Sequence, residues 1–395
     1  MKSLGLGIIF SFITPSGIAQ NMPLPGNWQG IIEYTQEDVP FEFLLENIED
    51  IIRVTIINGE ERIFIDSVSI SGDSIVIPLR PFDAEIKAKF DSHSMQGYWK
   101  KGYKKDFIPF HAIYGKPRFE GGTRKYKLSY KWNLKFERPS KVTYTNLGLF
   151  EFNNGKAQGS ILSEVGDYRY FEGVIRNDSL LMSSFDGVHG FEIKALLSEN
   201  QLSGVFHFDN EYTEQITGAV DETVELISPL KKMDIHQRPF FNILTAGNPN
   251  DRIDESIYFD KILVLQLFGT WCPNSKDQTE FLTEWYKSKP DNVEVLAVTY
   301  EPNFSTEYGL KRIESYKKDM KIPYDIKLGG ELSKGQAALA LPYQDKINAF
   351  PTLVLIDKYG FARYQFDYFN GPATGQYFEK FKEGFKQAIN TLVSE

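Results

Sequence analysis

The chain has 395 residues, of which 42% are hydrophobic and 25% are charged, and it carries a net charge of −9 with a pI of about 5.3. That length predicts two or three domains, and the composition is typical of a globular protein with a sizeable core. The acidic balance argues against nucleic acid or an anionic membrane as the main partner. A single cysteine excludes an internal disulfide, so Cys272 either reacts with another molecule or is inert.

The first 19 residues have the pattern of an export signal. Lys2 gives a positive start, residues 4–13 are apolar, and Gly-Ile-Ala at 17–19 is a small-x-small cleavage site before Gln20. The apolar run is too short to span a bilayer, and the other interpretation, a buried first strand, fits poorly beside its turn-forming residues. No cysteine follows the signal, which excludes a lipoprotein anchor, and no other segment approaches transmembrane length. We therefore expect a protein exported to the bacterial periplasm, with no transmembrane segment after signal cleavage.

Residues 20–220 are predicted to form a β-rich domain. Short runs such as 62–70 and 84–90, several of them alternating, are separated by turn signals such as Asn58-Gly59. No helical periodicity competes with these strands. The pattern predicts a sandwich or barrel with several hairpins, and such a domain could hold a protein partner.

The β-rich domain carries signs of an internal duplication. Four short runs recur in the same order about 105 residues further along the chain. The pairs are Asp-Ser-aliphatic at 73 and 178, Phe-Asp at 82 and 185, Glu-Ile-Lys-Ala at 85 and 192, and Gly-x-aromatic at 97 and 204. The sequence therefore predicts two modules, at 25–114 and 115–219, which pack side by side or complete one larger barrel.

The C-terminal part has a different pattern. Residues 221–250 are predicted as a linker, because prolines and a Gly-Asn-Pro-Asn-Asp cluster indicate little regular structure. From 251 to 395 strands alternate with helices, as an α/β fold with a parallel-containing sheet requires. Strands are predicted at 262–268, 293–299 and 352–356, and a last helix is predicted from apolar residues spaced at 378, 381, 385, 389 and 392.

The only cysteine lies where a buried strand passes into a helix. Gly269-Thr270 turns the chain after the strand, and Pro273 suits the first helical turn because no amide hydrogen is needed there. Free amides and the positive end of the helix dipole at this place favour a thiolate at Cys272. We therefore predict a reactive thiol, and an inert buried thiol is the alternative.

Three separated motifs carry a family resemblance. The run Phe-Gly-Thr-Trp-Cys-Pro-Asn-Ser at 268–275 resembles the W-C-x-x-C active site of TlpA-like thioredoxin-fold thiol–disulfide oxidoreductases. Ala-Phe-Pro-Thr at 349–352 resembles the loop that holds the family's cis-proline, and 295–301 resembles its second core strand, which ends in an acidic residue. The resemblance covers residues 251–395 and implies a thioredoxin-like α/β domain.

The resemblance also implies roles for individual residues. Cys272 is the nucleophile, Ser275 occupies the place of the second cysteine, and Glu301 accepts or donates a proton if it lies near the thiol. On composition alone, an exposed loop carboxylate is the alternative for Glu301. The residues expected to shape a site for an extended peptide are Trp271, Pro273, Phe350 and Pro351.

Ser275 departs from the family pattern, because a hydroxyl cannot resolve a mixed disulfide as a second cysteine does. Three functions stay open for this domain. It is a monothiol exchange enzyme acting on protein or small-molecule thiols and disulfides, a protein that holds clients by transient mixed disulfides, or a domain that has lost its redox activity. The rival hypothesis is a redox-silent scaffold whose β-rich domain captures a partner or ligand.

Other chemistries are not indicated. The peroxiredoxin motif has a threonine three residues before its cysteine, where this chain has Gly269. The five histidines, at 93, 111, 189, 207 and 236, show no metal-ligand spacing. No glycine-rich loop has phosphate-binding spacing. We therefore expect no cofactor and no metal.

Overall fold

The computed structural model describes residues 22–49, 51–123, 127–140, 142–233, 258–302, 305–339, 341 and 343–395. The predicted signal at 1–19 lies outside the described residues. No helix in the described part is long and apolar enough to cross a membrane. The described residues form two all-β modules and one α/β domain, as the sequence predicts.

The first module is an open antiparallel sheet of nine strands. These are β1 Gly26–Glu33, β2 Asp38–Ile48, β3 Ile51–Asn58, β4 Glu61–Ile65, β5 Ser69–Ser71, β6 Ser74–Pro78, β7 Ala84–Phe90, β8 Ser94–Lys101 and β9 Ile108–Tyr114. Their order is β4-β3-β2-β1-β9-β8-β7-β6-β5, so β1 pairs with both β2 and β9. Alternating burial along strands such as β7 directs side chains into one core, which includes Trp28, Phe41 and Trp99. The module is therefore a half-barrel.

The second module is a closed barrel. Its strands are β10 Lys127–Glu137, β11 Thr143–Asn153, β12 Lys156–Ser163, β13 Gly166–Asp167, β14 Phe171–Arg176, β15 Ser179–Phe185, β16 Gly190–Ser198, β17 Gln201–Phe208 and β18 Tyr212–Val220. The ring of eight runs β11-β10-β18-β17-β16-β15-β14-β12 and closes where β11 also pairs with β12, while the short β13 attaches to β12. Trp132, Phe171 and Phe206 lie in its core.

The two modules share one strand order. The series β3-β2-β1-β9-β8-β7-β6 of the half-barrel corresponds to β12-β11-β10-β18-β17-β16-β15 of the barrel. Gly97 lies opposite Ala88 and Gly204 lies opposite Ala195. A Cβ added at either glycine would come within 2.0 Å of a carbonyl oxygen on the neighbouring strand. The echoed sequence runs therefore lie at equivalent positions, which agrees with the predicted duplication.

The modules pack side by side and do not merge into one barrel. Phe185, at the end of β15, contacts Phe41 of the half-barrel with ring centroids 4.5 Å apart. Asn58 is fully buried between them, and its amide donates to the Phe185 carbonyl at 2.9 Å and accepts from the Phe185 amide at 3.2 Å. This junction fixes the end of β15, and the turn after it reaches the third domain.

The α/β domain is a mixed six-stranded sheet with four helices. The strands are β19 Leu230–Lys232, β20 Ile262–Phe268, β21 Val293–Glu301, β22 Asp325–Glu331, β23 Thr352–Ile356 and β24 Ala362–Phe366, and the helices are α1 Pro273–Tyr286, α2 Thr306–Asp319, α3 Lys334–Ala338 and α4 Gln376–Ser394. The order is β19-β24-β23-β20-β21-β22, with β20 parallel to β21 and antiparallel to β23. All of β20 is buried, because it lies at the centre with neighbours on both sides.

Part of the predicted linker forms a short edge strand. Residues 234–250 lie outside the described residues, but Leu230–Lys232 pairs with β24 as an edge strand of the α/β sheet. Val224 is buried in a small cluster with Leu147 of the barrel and Tyr377 of α4. A strand of three residues is compatible with a connection of little regular structure, and the linker at 221–250 stays a prediction.

Candidate functional site

The cysteine lies at the start of α1, as predicted. Cys272 is the residue before the first helical turn and has an extended backbone, and Pro273 occupies that turn. The Cys272 carbonyl accepts the amide of Lys276 at 3.0 Å, while its thiol points to the carbonyl of Phe350, with the sulfur 3.6 Å from the oxygen. The Phe350–Pro351 peptide bond is cis. The fold thus brings together two of the motifs on which the family resemblance rests.

The protonation of the thiol differs from the expectation. Burial raises the pKa of Cys272, and the charge of Asp186 raises it further, although the Ser275 hydroxyl and the amides of Ser275 and Asn274 oppose the rise. The side chain is only 9% exposed. The prediction that the helix N-terminus favours the thiolate is therefore wrong for the net effect, because desolvation of the charged sulfur outweighs the donors at the helix start.

Ser275 lies beneath the thiol. It is fully buried, and its hydroxyl accepts the amide of Gly269 at 3.4 Å in addition to stabilising the thiolate of Cys272. It thus holds the strand-to-helix turn in shape. Its hydroxyl can donate a hydrogen bond to the sulfur but cannot form a disulfide with it.

The aromatic residues predicted for the peptide site are close to the thiol. Trp271 donates its indole N–H to the carbonyl of Tyr300 at 2.9 Å, and its ring meets Phe350 edge to face at 6.1 Å. Pro273 also lines the cleft in front of the thiol, and its carbonyl accepts Arg169 Nη1 of the barrel at 3.3 Å.

Glu301 has a different environment from the one predicted. It is 1% exposed, and it accepts the Thr270 amide at 3.2 Å and the Thr270 hydroxyl at 2.9 Å, together with the Thr299 hydroxyl. Burial raises the pKa of Glu301, against these donors and the charge of Arg312. Its bonds support the turn that precedes Cys272, and it does not belong to the residues that line the space in front of the thiol.

A cleft of about 480 Å³ lies in front of Cys272, between the end of the barrel and the α/β domain. The α/β domain contributes Trp271, Phe350 and Lys334 among other residues. The barrel side includes the aromatic residues Tyr168, Phe191, Phe208 and Tyr212, together with the charged Asp167, Arg169 and Asp186 and with His189. Sequence reasoning missed the whole barrel side. The only local signal was the Asp-Gly turn at 186–187, and nothing in it indicates which domain it faces.

Asp186 and His189 form a pair at the barrel side of the cleft. Asp186 Oδ1 accepts the amides of Val188 and His189 at 2.8 and 2.7 Å, and its Oδ2 lies 3.3 Å from Nδ1 of His189. Burial opposes ionisation of Asp186, but its hydrogen bonds to His189 and the charge of Arg169 outweigh it and lower the pKa of Asp186. A carboxylate that orients an imidazole is the arrangement found where histidine transfers protons.

A buried ion-pair network fastens the barrel to the cysteine-bearing helix. The Arg169 guanidinium binds Asp277 of α1 and Glu61 of the half-barrel, so one cation joins all three parts of the protein. The Asn274 side chain donates to the Asp167 carbonyl at 3.0 Å, and the Gly371 amide donates to the Asp167 carboxylate at 2.7 Å. Burial raises the pKa of Asp167 to about 6.

Two carboxylates and a histidine lie close together where the half-barrel meets the barrel. Glu37, Glu192 and His207 lie with their ligand atoms within 4.8 Å of one another. Lys194 already supplies a cation there, because its Nζ lies 2.5 Å from Glu37 and 3.2 Å from Glu192. Burial raises the pKa of Glu192 to about 8. Lys194 therefore takes the place of a metal cation between these carboxylates.

Comparison with solved structures returns thiol–disulfide exchange proteins. A DsbF homologue from Corynebacterium diphtheriae is 18% identical, with a TM-score of 0.28 over 42% of this chain and 99% of that chain. A secreted thiol-disulfide isomerase from Corynebacterium glutamicum is 13% identical, with a TM-score of 0.29 over 42% of this chain and 98% of that chain. A thioredoxin-related protein from Neisseria meningitidis serogroup B is 17% identical, with a TM-score of 0.23 over 34% of this chain and 86% of that chain.

The C-terminal part is thioredoxin-like. Its own topology carries this assignment: β20, α1 and the parallel β21, followed by the antiparallel hairpin of β23 and β24 and a last helix, with the cysteine after β20 and a cis-proline before β23. No protein-family model matches the chain, and no curated protein matches it.

Proposed function

We propose that this protein performs thiol–disulfide exchange through the single thiol of Cys272, as an exported relative of the TlpA-like oxidoreductases with a C-x-x-S motif. One observation carries the proposal. The sulfur lies 3.6 Å from the Phe350 carbonyl, at the cis-proline bend, and it faces a cleft that can admit a substrate. A thiol that served only to fill the core would need neither the bend nor the cleft.

The proposed reaction begins with removal of the proton from the Cys272 thiol. Because burial raises the pKa of this thiol, the thiolate needs a proton acceptor in the cleft, and His189, oriented by Asp186, is the group best suited to that role. The thiolate then attacks one sulfur of a disulfide and forms a mixed disulfide at Cys272. Ser275 cannot resolve it, so the adduct remains until an external thiol attacks.

Adduct formation tests this proposal directly. The folded protein is treated with hydroxyethyl disulfide at neutral pH, and mass spectrometry follows the mixed disulfide, which external dithiothreitol should release. Cys272→Ser is the control that removes the only thiol. Ser275→Cys should shorten the lifetime of the adduct and raise turnover, because a second thiol then resolves it. If the folded protein forms no adduct and the urea-unfolded protein does, thiol exchange is excluded.

Export to the periplasm is part of the same proposal. The charge, apolar run and cleavage pattern of residues 1–19 support it, and so does a thiol chemistry suited to an oxidising compartment. Fractionation of cells that express the full chain, with N-terminal sequencing, should give a protein that begins at Gln20 outside the cytoplasm. A full-length cytoplasmic product would contradict export.

The second candidate function is a redox-silent binding protein. The burial of the thiol, with 9% of the side chain exposed and its pKa raised, favours this alternative. The β-rich domain would then capture a partner or ligand, and the thioredoxin-like domain would serve as a scaffold. The adduct experiment separates the two candidates, because a scaffold requires no reactivity of Cys272 before unfolding.

A further inference from the structure

The barrel and the half-barrel cover the face of the thioredoxin-like domain around Cys272. On the α1 side, Asn274 donates to the carbonyl of Asp167 at 3.0 Å. On the cis-proline side, the Asn348 amide donates to the carbonyl of Glu164. On the α2 side, Arg312 Nη2 donates to the carbonyl of Pro81 at 2.7 Å. Contacts on three sides of the thiol hold the β modules over the face that a protein client would need.

The remaining space fits a small molecule. A cleft of about 480 Å³ lies in the range of small-molecule pockets, roughly 300–1,000 Å³. A folded protein that docks specifically needs roughly 800 Å² of surface on each partner. The buried thiol offers no such surface while the β modules are in place.

The lining of the cleft indicates the chemistry of the molecule that it admits. Phe191, Phe208 and Tyr212 face it from the barrel, and Trp271 and Phe350 face it from the thioredoxin-like domain. Aromatic walls on two sides favour an apolar or aromatic group, which gains from burial and from edge or face contact with the rings.

The charges in the cleft disfavour an anion. A lowered pKa keeps Asp186 ionised in the cleft, and its carboxylate already lies against Nδ1 of His189. The charge of Arg169 is used by Glu61 and Asp277. Lys334, on the opposite side, donates to the carbonyl of Asn348, and burial lowers its pKa. An acidic ligand therefore meets the Asp186 carboxylate in the same cleft and finds the cations there committed to other partners.

We infer that the substrate of Cys272 is a low-molecular-weight, uncharged disulfide with an aromatic or apolar substituent, and that the β modules exclude folded protein disulfides. This inference rests on the proposed function. In the reaction, the Cys272 sulfur bonds to one sulfur of the disulfide while the S–S bond breaks. The other sulfur leaves as a thiolate and takes up the proton that Cys272 gave up. The disulfide is the oxidant, so no further reactant is needed.

The test compares probes of different size and charge on the folded protein. Methyl methanethiosulfonate is the smallest, 4,4′-dithiodipyridine is uncharged and aromatic, and 5,5′-dithiobis(2-nitrobenzoate) is aromatic and dianionic. The fourth probe is a folded protein whose one surface cysteine is capped with 4-thiopyridine, so that its leaving group matches that of the second probe. Each rate is divided by the rate with the same chain unfolded in urea, which removes the intrinsic reactivity of the reagent.

We expect the normalised rate for dithiodipyridine to exceed those for the dianionic reagent and for the capped protein by about tenfold or more. Val165→Trp adds bulk at the cleft from a residue that is 49% exposed, so its fold should survive. It should slow dithiodipyridine about tenfold more than it slows methyl methanethiosulfonate. Leu196→Trp, on β16 at a residue that is 64% exposed and does not line the cleft, is the matched control and should change neither rate.

The outcomes separate the inference from the proposed function. If the folded protein does not react even with methyl methanethiosulfonate, the proposed function fails. If it reacts, but the capped protein or the dianionic reagent is as fast as dithiodipyridine, the inference fails and thiol exchange stands. Equal rates for Val165→Trp and Leu196→Trp with dithiodipyridine would also overturn the inference, because the cleft would not be the route to the thiol.

Discussion

Two equivalent turns of the duplicated β modules contact the thioredoxin-like domain in different ways. In the half-barrel, the turn between β6 and β7 docks on α2: the Pro81 carbonyl accepts from Arg312, and the Asp83 carboxylate accepts the Tyr308 hydroxyl, both at 2.7 Å. In the barrel, the turn between β15 and β16 places Asp186 and His189 in the cleft beside Cys272. One turn therefore holds the domains together, and the other contributes to the site.

The difference arises from what each aspartate binds. Both belong to the echoed Phe-Asp pair, Phe82-Asp83 and Phe185-Asp186. Asp83 uses its carboxylate on another domain, whereas Asp186 accepts amides of its own turn and so keeps its second oxygen for His189. Duplication thus gives two copies of one turn, of which one can serve as an anchor while the other is free to change.

Removal of the cation that joins all three parts should have the largest effect on this arrangement. Arg169→Met leaves Glu61 and Asp277 as buried carboxylates without their partner, and we expect the free energy of unfolding to fall by about 3–5 kcal/mol. Urea denaturation measures the change. Arg80→Ala, which removes an ion pair whose arginine side chain is 54% exposed, is the control and should cost less than about 1 kcal/mol. Equal losses would show that the buried network does not join the domains.

The turn between β15 and β16 should affect the reaction more than the turn between β6 and β7 does. His189→Ala removes the proposed proton acceptor, and we expect the rate of adduct formation with dithiodipyridine at neutral pH to fall by about 100-fold. Added imidazole should restore part of that rate, which it would not do for a structural defect. Asp83→Asn, in the equivalent turn, should leave the rate unchanged. A similar loss in both variants would contradict the division of roles.

The charge of Asp186 should be visible in the titration of the thiol. Because the charge of Asp186 raises the pKa of Cys272, Asp186→Asn should move the pH profile of the iodoacetamide rate to lower pH and raise the rate at pH 7. The wild-type profile should still rise above the ordinary range of a cysteine, since burial favours the thiol. Asp83→Asn is the matched control. A shift to higher pH in Asp186→Asn would contradict a direct effect of the Asp186 charge on the pKa of the thiol.

The part of the site that the sequence predicts is the part built from local signals. The apolar run of β20 and Pro273 predict the junction at Cys272, and Ser305 caps α2 by accepting the Tyr308 amide at 3.1 Å. The meeting of Cys272 with Phe350 depends on residues 78 positions apart, so only the family resemblance could predict it.

The barrel side of the site could not be predicted in the same way. Strand alternation shows which side chains of a strand are buried, but it does not show which turn of a barrel faces another domain. Asp186 and His189 therefore read as ordinary turn residues. The pKa of Cys272 also differs from the prediction, because its largest cause is burial, and Glu301 binds Thr270 and does not line the cleft in front of the thiol.

The smallest expected effect concerns the turn between β6 and β7, which contacts α2. Tyr308→Phe removes one hydrogen bond, that to Asp83, without opening a cavity, and we expect the free energy of unfolding to fall by about 1 kcal/mol. Tyr359→Phe, at a side chain that is 59% exposed, is the control and should change little. The rate of adduct formation should be the same in both variants, because the hydroxyl of Tyr308 holds α2 and not the cleft. If Tyr308→Phe slowed adduct formation as His189→Ala does, the turn between β6 and β7 would also contribute to the reaction. The two turns would then not have separate roles.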